Sequence, residues 1–237
     1  MVLVESLSPD EPISKTYYNR SYSAVLTSEK LCNEEEQEEA APPIEGSGDA
    51  SSTYIKHPLQ HTWTLWYYEN KRSKTWGENQ REISSFDTIE DFWSLYNYTK
   101  FPSELKQGCD YSLFKYGIRP MWEDQANRWG GRWIINLDRP FRDFDVDKLW
   151  LEVLLCLIGE SFDDYADEIC GAVVNVRPQK DKIGLWTSNA RNTQAVTFIG
   201  RKLKERLNLD RKIIIGYYVH KDTMQHPSSL ARCSLTL

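Results

Sequence analysis

The sequence predicts an α+β domain in which an antiparallel sheet carries helices on one face. Two observations carry that reading: six or more strand-like segments, and three helices interspersed among them. A third bounds it. Residues 1–53 show no sustained hydrophobic periodicity, so the folded part is expected over residues 54–237, behind a disordered acidic N-terminal tail.

Thr62–Tyr68 is aromatic and β-branched, which favours a strand. Phe86-Asp87-Thr88 opens a helix: Thr88 with Asp91 resembles a capping box, and Ile89, Phe92, Trp93 and Tyr96 fall on one helical face. Tyr111–Lys115 and Arg132–Leu137 read as strands. A second helix spans about Val146–Ile158, with Asp143, Asp145 and Asp147 near its positive N-terminal end. Gly171–Arg177 and Lys182–Thr187 form a strand pair joined by a loop containing Pro178. Thr193–Leu207 is a third helix and Ile213–Val219 a further strand.

Charge is uneven. Residues 1–52 hold eleven acidic against three basic residues, and the remainder holds 26 basic against 24 acidic, so the overall −6 conceals a mildly basic body. Such a body is a poor match for long duplex nucleic acid but suits a ligand with two or three phosphates. The five cysteines form no C-x-x-C pair, and Cys156 and Cys170 stand in apolar surroundings, which disfavours disulfides and zinc and suits a reducing compartment. The N-terminus lacks a basic end followed by an apolar run, and the longest apolar stretch, Val153–Ile158, is too short to span a bilayer. The expectation is a soluble intracellular protein. The four histidines form no metal-binding pattern, and neither a phosphate-binding glycine loop nor a nucleophile elbow is present. Binding is therefore favoured over catalysis: no catalytic residue, cofactor or metal is expected.

The nine tryptophans are the strongest functional signal. Trp76 follows the polar run Lys71–Thr75, Trp122 precedes Glu123 and Asp124, and Trp186 closes the strand that begins at Lys182. A π-face beside a carboxylate and basic residues suits a positively charged aromatic ligand that bears phosphates. Trp63, Trp66, Trp129, Trp133 and Trp150 are assigned instead to the core, where an indole hides much apolar area.

The words His57-Pro58-Leu59-Gln60, Ser73-Lys74-Thr75-Trp76, Phe86 to Trp93, Gly108 to Phe114, Pro120-Met121-Trp122-Glu123-Asp124, Gly130-Gly131-Arg132-Trp133, Trp150-Leu151-Glu152 and Gly171 to Arg177 occur in that order. Together they closely resemble the eukaryotic translation initiation factor 4E family, the messenger-RNA 5′-cap-binding proteins, over about residues 55–237. The resemblance implies a curved antiparallel sheet backed by three helices on its convex face, with 7-methylguanine held between Trp76 and Trp122. It implies that Glu123 accepts from the guanine N1–H and amine, that the Trp122 backbone N–H donates to O6, and that Trp186 touches the methyl group. Arg177 and Lys182 match the family's phosphate-binding residues, with Arg132 as a helper. Gln179 stands where the family often has a lysine, and Lys180 lies one position on.

The resemblance also implies a second surface formed by His57, Pro58, Ile89, Trp93, Leu151 and Glu152. This surface would receive an amphipathic helix from the scaffold factor 4G or from a 4E-binding repressor protein. Ser229 is the candidate phosphosite, although its flanks Pro227 and Leu230 depart from the family's pattern. The function implied is cap-dependent translation initiation by a monomer within the cap-binding complex. The expected location is the cytoplasm, with the nucleus or cytoplasmic granules as further sites, and no membrane partner. The alternative is a cap-binding repressor or specialised paralogue that engages the scaffold poorly.

Overall fold

A computed structural model describes residues 55–71, 73–138, 146–225 and 233–237. The expectations for the acidic tail, Asp143, Asp145 and Ser229 lie outside the described residues. The elements run β1 (Pro58–Tyr68), α1 (Trp76–Asn79), β2 (Gln80–Thr88), α2 (Ile89–Tyr98), β3 (Asp110–Lys115), β4 (Gly131–Asp138) and α3 (Val146–Ile158). They continue with β5 (Ile169–Asn175), β6 (Lys180–Thr187), α4 (Thr193–Arg206), β7 (Gly216–Val219), α5 (His220–Gln225) and β8 (Leu235–Thr236). The strands form one curved, fully antiparallel sheet in the order β2-β1-β3-β5-β6-β4-β7-β8.

Alternation along each strand separates two faces. Trp63 and Leu65, Leu113, Ala172 and Val174, Ile183 and Leu185, and Trp133 and Ile135 point towards the helices and join the main core with α2, α3 and α4. The intervening residues Phe114, Val173 and Trp186 form a smaller cluster on the other face. An irregularity in β5 between Ile169 and Gly171 lets Ile169 serve the main core while Cys170 joins the smaller cluster. Trp133 anchors α4: its indole N–H donates to the Val196 carbonyl at 3.0 Å. Gly200 permits that approach, because a Cβ there would lie 2.4 Å from the Trp133 ring.

Local signals explain the helix starts. Thr88 caps α2 by accepting from the Asp91 N–H at 3.2 Å. The return bond of a capping box does not form; the Thr88 hydroxyl donates to the Asp91 carboxylate, which also pairs with Lys56 at 2.7 Å. Asp147, in the first turn of α3, accepts from the Ser103 N–H at 2.8 Å.

The predicted segments recur, with corrections. Phe86–Thr88 belongs to β2, which precedes the helix. The segment read as Gly171–Arg177 runs Ile169–Asn175, and the last predicted strand shortens to Gly216–Val219. Cys156 and Cys170 are buried free thiols, as expected from their apolar surroundings. No helix is long and apolar enough to cross a membrane among the described residues.

Candidate functional site

The 15-residue connection from Tyr116 to Gly130 leaves β3 and folds back over the sheet face opposite the helices. Ile118 and Ala126 pack against Phe114, Cys170, Val173 and Trp186 there. Asn127, 0% exposed, braces this connection by donating to the carbonyls of Arg119 at 2.9 Å and Met121 at 2.8 Å. Asp124 adds acceptance from the N–H groups of Arg119 and Ala126. The tip is thereby fixed with Trp122 39% exposed and Glu123 exposed beside it. Among the described residues nothing engages the Glu123 carboxylate or the Trp122 backbone N–H.

Trp76 is the first residue of α1, whose start is held by a full capping box. Thr75 N–H donates to the Glu78 carboxylate at 2.7 Å while the Thr75 hydroxyl accepts from the Glu78 N–H at 3.4 Å. The indole is 47% exposed and packs only obliquely on Tyr68, 6.0 Å between centroids. Tyr68 alternates with Leu65 and Tyr67 and so lies on the face away from the helices. Both exposed indoles therefore belong to the same face, reached from opposite ends of the β1–β3 pair. Polar chain before Trp76 and after Trp122 accompanies two large apolar rings that stay in water, which a core would not do.

Trp186 is 5% exposed and lies deeper on that face, edge-on to Phe114 at 5.4 Å and against the His220 ring at 4.2 Å. The Arg132 guanidinium stands over it at 5.6 Å, because Arg132 pairs across β4–β6 with Trp186. Three nitrogens here, Trp186 Nε1, Arg132 Nε and His220 Nε2, are buried without a hydrogen-bond partner among the described residues. Such groups cost about 1–3 kcal/mol each when left unmade, and the two that can only donate, Trp186 Nε1 and Arg132 Nε, mark the spot as suited to acceptor atoms from elsewhere. Burial pushes His220 down to about 3, and the Arg132 charge adds to that, so the imidazole is neutral.

Lys182 shares the same face of β6. Burial, followed by repulsion from Arg132, Lys180 and Arg177, lowers its ammonium from the ordinary value. Cations that raise one another's cost are a place prepared for anionic oxygen. Arg177 differs from the sequence expectation in one respect. Its fork is bidentate to Asp110, at 2.5 and 3.1 Å, and also donates to the Val176 carbonyl at 3.0 Å. These bonds clasp β3 to the end of β5.

On the helical side, His57 binds Glu90 twice, through its backbone N–H at 2.9 Å and Nδ1 at 2.6 Å. Its carbonyl accepts from Ile89 N–H at 3.0 Å, which joins His57, Pro58 and Ile89 at the start of α2. Ile89 is 42% exposed; Trp93, one turn on, is half-buried against Phe92 and Tyr96. Glu152 is half-buried, whereas Leu151 is 4% exposed and belongs to the core, so it can offer a partner little more than a floor.

Trp129 corrects the sequence reading. Assigned to the core, it is 53% exposed, because the turns held by Asn127 carry it outward before Gly131 enters the sheet. Trp63, Trp133 and Trp150 are buried as expected, and Trp66 is half-buried. His220, Asp110, Asn127 and Tyr68 were not singled out by sequence reasoning. Asp110 alone lay within a quoted motif, and no local pattern marks the others.

Fold and site together define an antiparallel-sheet domain that presents exposed indoles, Trp76 and Trp122 among them, and a cluster of cations on the face its helices leave uncovered. A family profile described as Eukaryotic initiation factor 4E matches residues 58–233. Eukaryotic translation initiation factor 4E of Homo sapiens is 59% identical over 179 residues, 76% of this chain and 82% of that protein. Eukaryotic translation initiation factor 4E1 of Drosophila melanogaster is 56% identical over 182 residues, 77% of this chain and 70% of that protein. The solved complex of Ascaris suum eIF4E-3 with m2,2,7G cap matches with a TM-score of 0.72 at 43% identity, over 77% of this chain and 99% of that one. C. elegans eIF4E-3 with the 4E-binding protein Mextli and a cap analog matches at 0.71 and 44%, over 77% and 100%. The chain belongs to the eukaryotic initiation factor 4E family.

Proposed function

We propose that this protein binds the 7-methylguanosine cap of messenger RNA and, in the cytoplasm, recruits the initiation scaffold factor 4G through its helical side. The observation that carries the proposal is a pair of indoles left exposed on the sheet face away from the helices, with the Trp122 N–H and the adjacent Glu123 carboxylate unengaged among the described residues. Methylation at N7 makes the guanine cationic. Each indole face then contributes ordinary stacking, about 1–3 kcal/mol, plus a cation–π share of about 2 kcal/mol when desolvated. Glu123 accepts from N1–H and the amine and the Trp122 N–H donates to O6, which distinguishes guanine from adenine. Arg177 and Lys182 hold the phosphates, with Arg132 as a helper, and Trp186 lines the methyl group's side. The relatives support this reading: the Ascaris suum structure holds a cap, and the C. elegans structure holds both a cap analog and a 4E-binding protein.

On the opposite side, a helix bearing Tyr-x-x-x-x-Leu-hydrophobic spacing docks along Pro58, Ile89 and Trp93, with Trp93 as anchor. Retention of the full chain on 7-methyl-GTP resin, with release by free 7-methyl-GTP but not by GTP, tests the first part; a chain that flows through contradicts it. A 4G peptide tests the second. It should co-elute with the wild-type chain and be lost with Trp93→Ala, whereas failure of the wild type to hold it indicates a cap-binding repressor.

A further inference from the structure

Trp129 is used neither by the core nor by the cap reading. Its indole is 53% exposed, with the Arg128 guanidinium 5.3 Å and the Lys221 ammonium 5.9 Å from its ring centroids. Neither cation is paired with a carboxylate among the described residues. Both cations lie over the exposed indole on flexible side chains, so they can turn to the phosphates of a strand while a base takes the ring. This is the combination with which proteins hold single-stranded nucleic acid.

The patch is continuous with the candidate site through two routes. Lys221 follows His220, whose ring lies against Trp186, and the His220 N–H donates to the Gly130 carbonyl at 3.1 Å. Trp129 shares the Asn127-braced connection with Trp122. Trp129 is seven residue steps beyond Trp122, so their Cα atoms can lie no more than about 25 Å apart even if fully extended. Tight turns along this stretch, with Asn127 and Arg128 N–H groups both donating to the Asp124 carbonyl at 3.0 and 2.9 Å, bring them closer. The Trp129 carbonyl, held by the Ala190 N–H at 3.0 Å, fixes the backbone that presents the ring.

We propose that Trp129, Arg128 and Lys221 form a stacking platform for the single-stranded RNA that follows the cap. The inference deepens the cap-binding reading and rests on it for the ligand's direction of approach. The platform adds affinity without reading sequence, since every base has a π-face. Capped RNA is thus held more tightly than the cap alone.

The test compares 7-methyl-GTP with capped and uncapped RNA oligonucleotides of about ten nucleotides, a length that spans such sites. The full-length wild type should bind the capped oligonucleotide more tightly than 7-methyl-GTP. Trp129→Ala should lower capped-oligonucleotide affinity by about 5- to 150-fold, the value of one stacked base, and leave 7-methyl-GTP affinity within about twofold. Trp129→Phe should keep most of the gain. Arg128→Gln with Lys221→Gln should flatten the salt dependence of oligonucleotide binding by roughly 1.4 in log–log slope.

An unchanged capped-oligonucleotide affinity in Trp129→Ala, with 7-methyl-GTP still bound, overturns the proposal and assigns the patch to a different class of partner. Equal losses for both ligands also overturn it, because the indole would then be shaping the cap slot. A wild type that ignores 7-methyl-GTP refutes the cap reading instead. In that case the platform stands if uncapped RNA binds and depends on Trp129, and falls if it does not.

Discussion

Removing the Asn127 side chain should free the connection that presents Trp122 and Glu123. Asn127 is fully buried, and its amide makes two hydrogen bonds, to the carbonyls of Arg119 and Met121. Each contributes a net of about 0.5–1.5 kcal/mol, so Asn127→Ala should cost about 1–3 kcal/mol in total. If the connection opens on its own, that cost appears as a smaller binding-competent fraction, and 7-methyl-GTP affinity falls by up to about 5- to 150-fold, the full amount being reached where open and closed forms are already near balance, while Tm holds. If the connection opens only with the whole domain, Tm falls by about 2–12 °C, given 2–4 °C per kcal/mol for a domain of this size. Thermal unfolding and a tryptophan-fluorescence titration on one preparation separate the two. Asn127→Asp keeps the shape but faces two carbonyls with a carboxylate that has no proton to donate, so it should do no better than alanine. Wild-type Tm and wild-type affinity in both variants would refute the idea that this amide braces the site.

Two further predictions concern charge. Lys182→Gln should weaken 7-methyl-GTP by about tenfold or more, the value of a charge-assisted hydrogen bond, and should leave 7-methylguanosine, which lacks phosphates, unaffected; equal effects on both ligands would contradict a phosphate role. His220, pushed down to about 3 by burial and Arg132, is protonated in the unfolded chain below its ordinary value of about 6.5 but stays neutral when folded. Stability should therefore fall as pH drops from about 6.5 towards 3, by at most about 1.4 kcal/mol per pH unit from this group. Urea midpoints should show that slope reduced in His220→Gln, and an unchanged slope would contradict the assignment.

What the sequence disclosed depended on how local the signal was. Trp76 and Trp122 were legible as surface indoles because polar residues surround them in the chain itself. Trp129 has comparable neighbours, Arg128 and Gly130, and the same criterion would have placed it correctly had it been applied evenly. β2 escaped because its residues Gln80 to Ser84 are those of an edge strand: polar, mostly exposed, and without alternation. β8 has two residues and α1 four, too few for any period to register. The Arg177–Asp110 clasp joins residues 67 apart, and the His220–Trp186 stack pairs β7's end with β6; neither leaves a trace in local pattern. Leu151 was placed on the partner surface by resemblance alone, and only the packing of α3 against the sheet shows it buried.

The account turns on charge carried by the bound base. Titration with 7-methyl-GTP and with GTP, followed by quenching of tryptophan fluorescence, tests it most directly. Cation–π attraction worth about 2 kcal/mol predicts that the methylated nucleotide binds at least about 30-fold more tightly, with the preference reduced in Trp76→Ala and in Trp122→Ala and lost when both are made together. Equal affinities for the two nucleotides, or a preference that survives both substitutions, would contradict it.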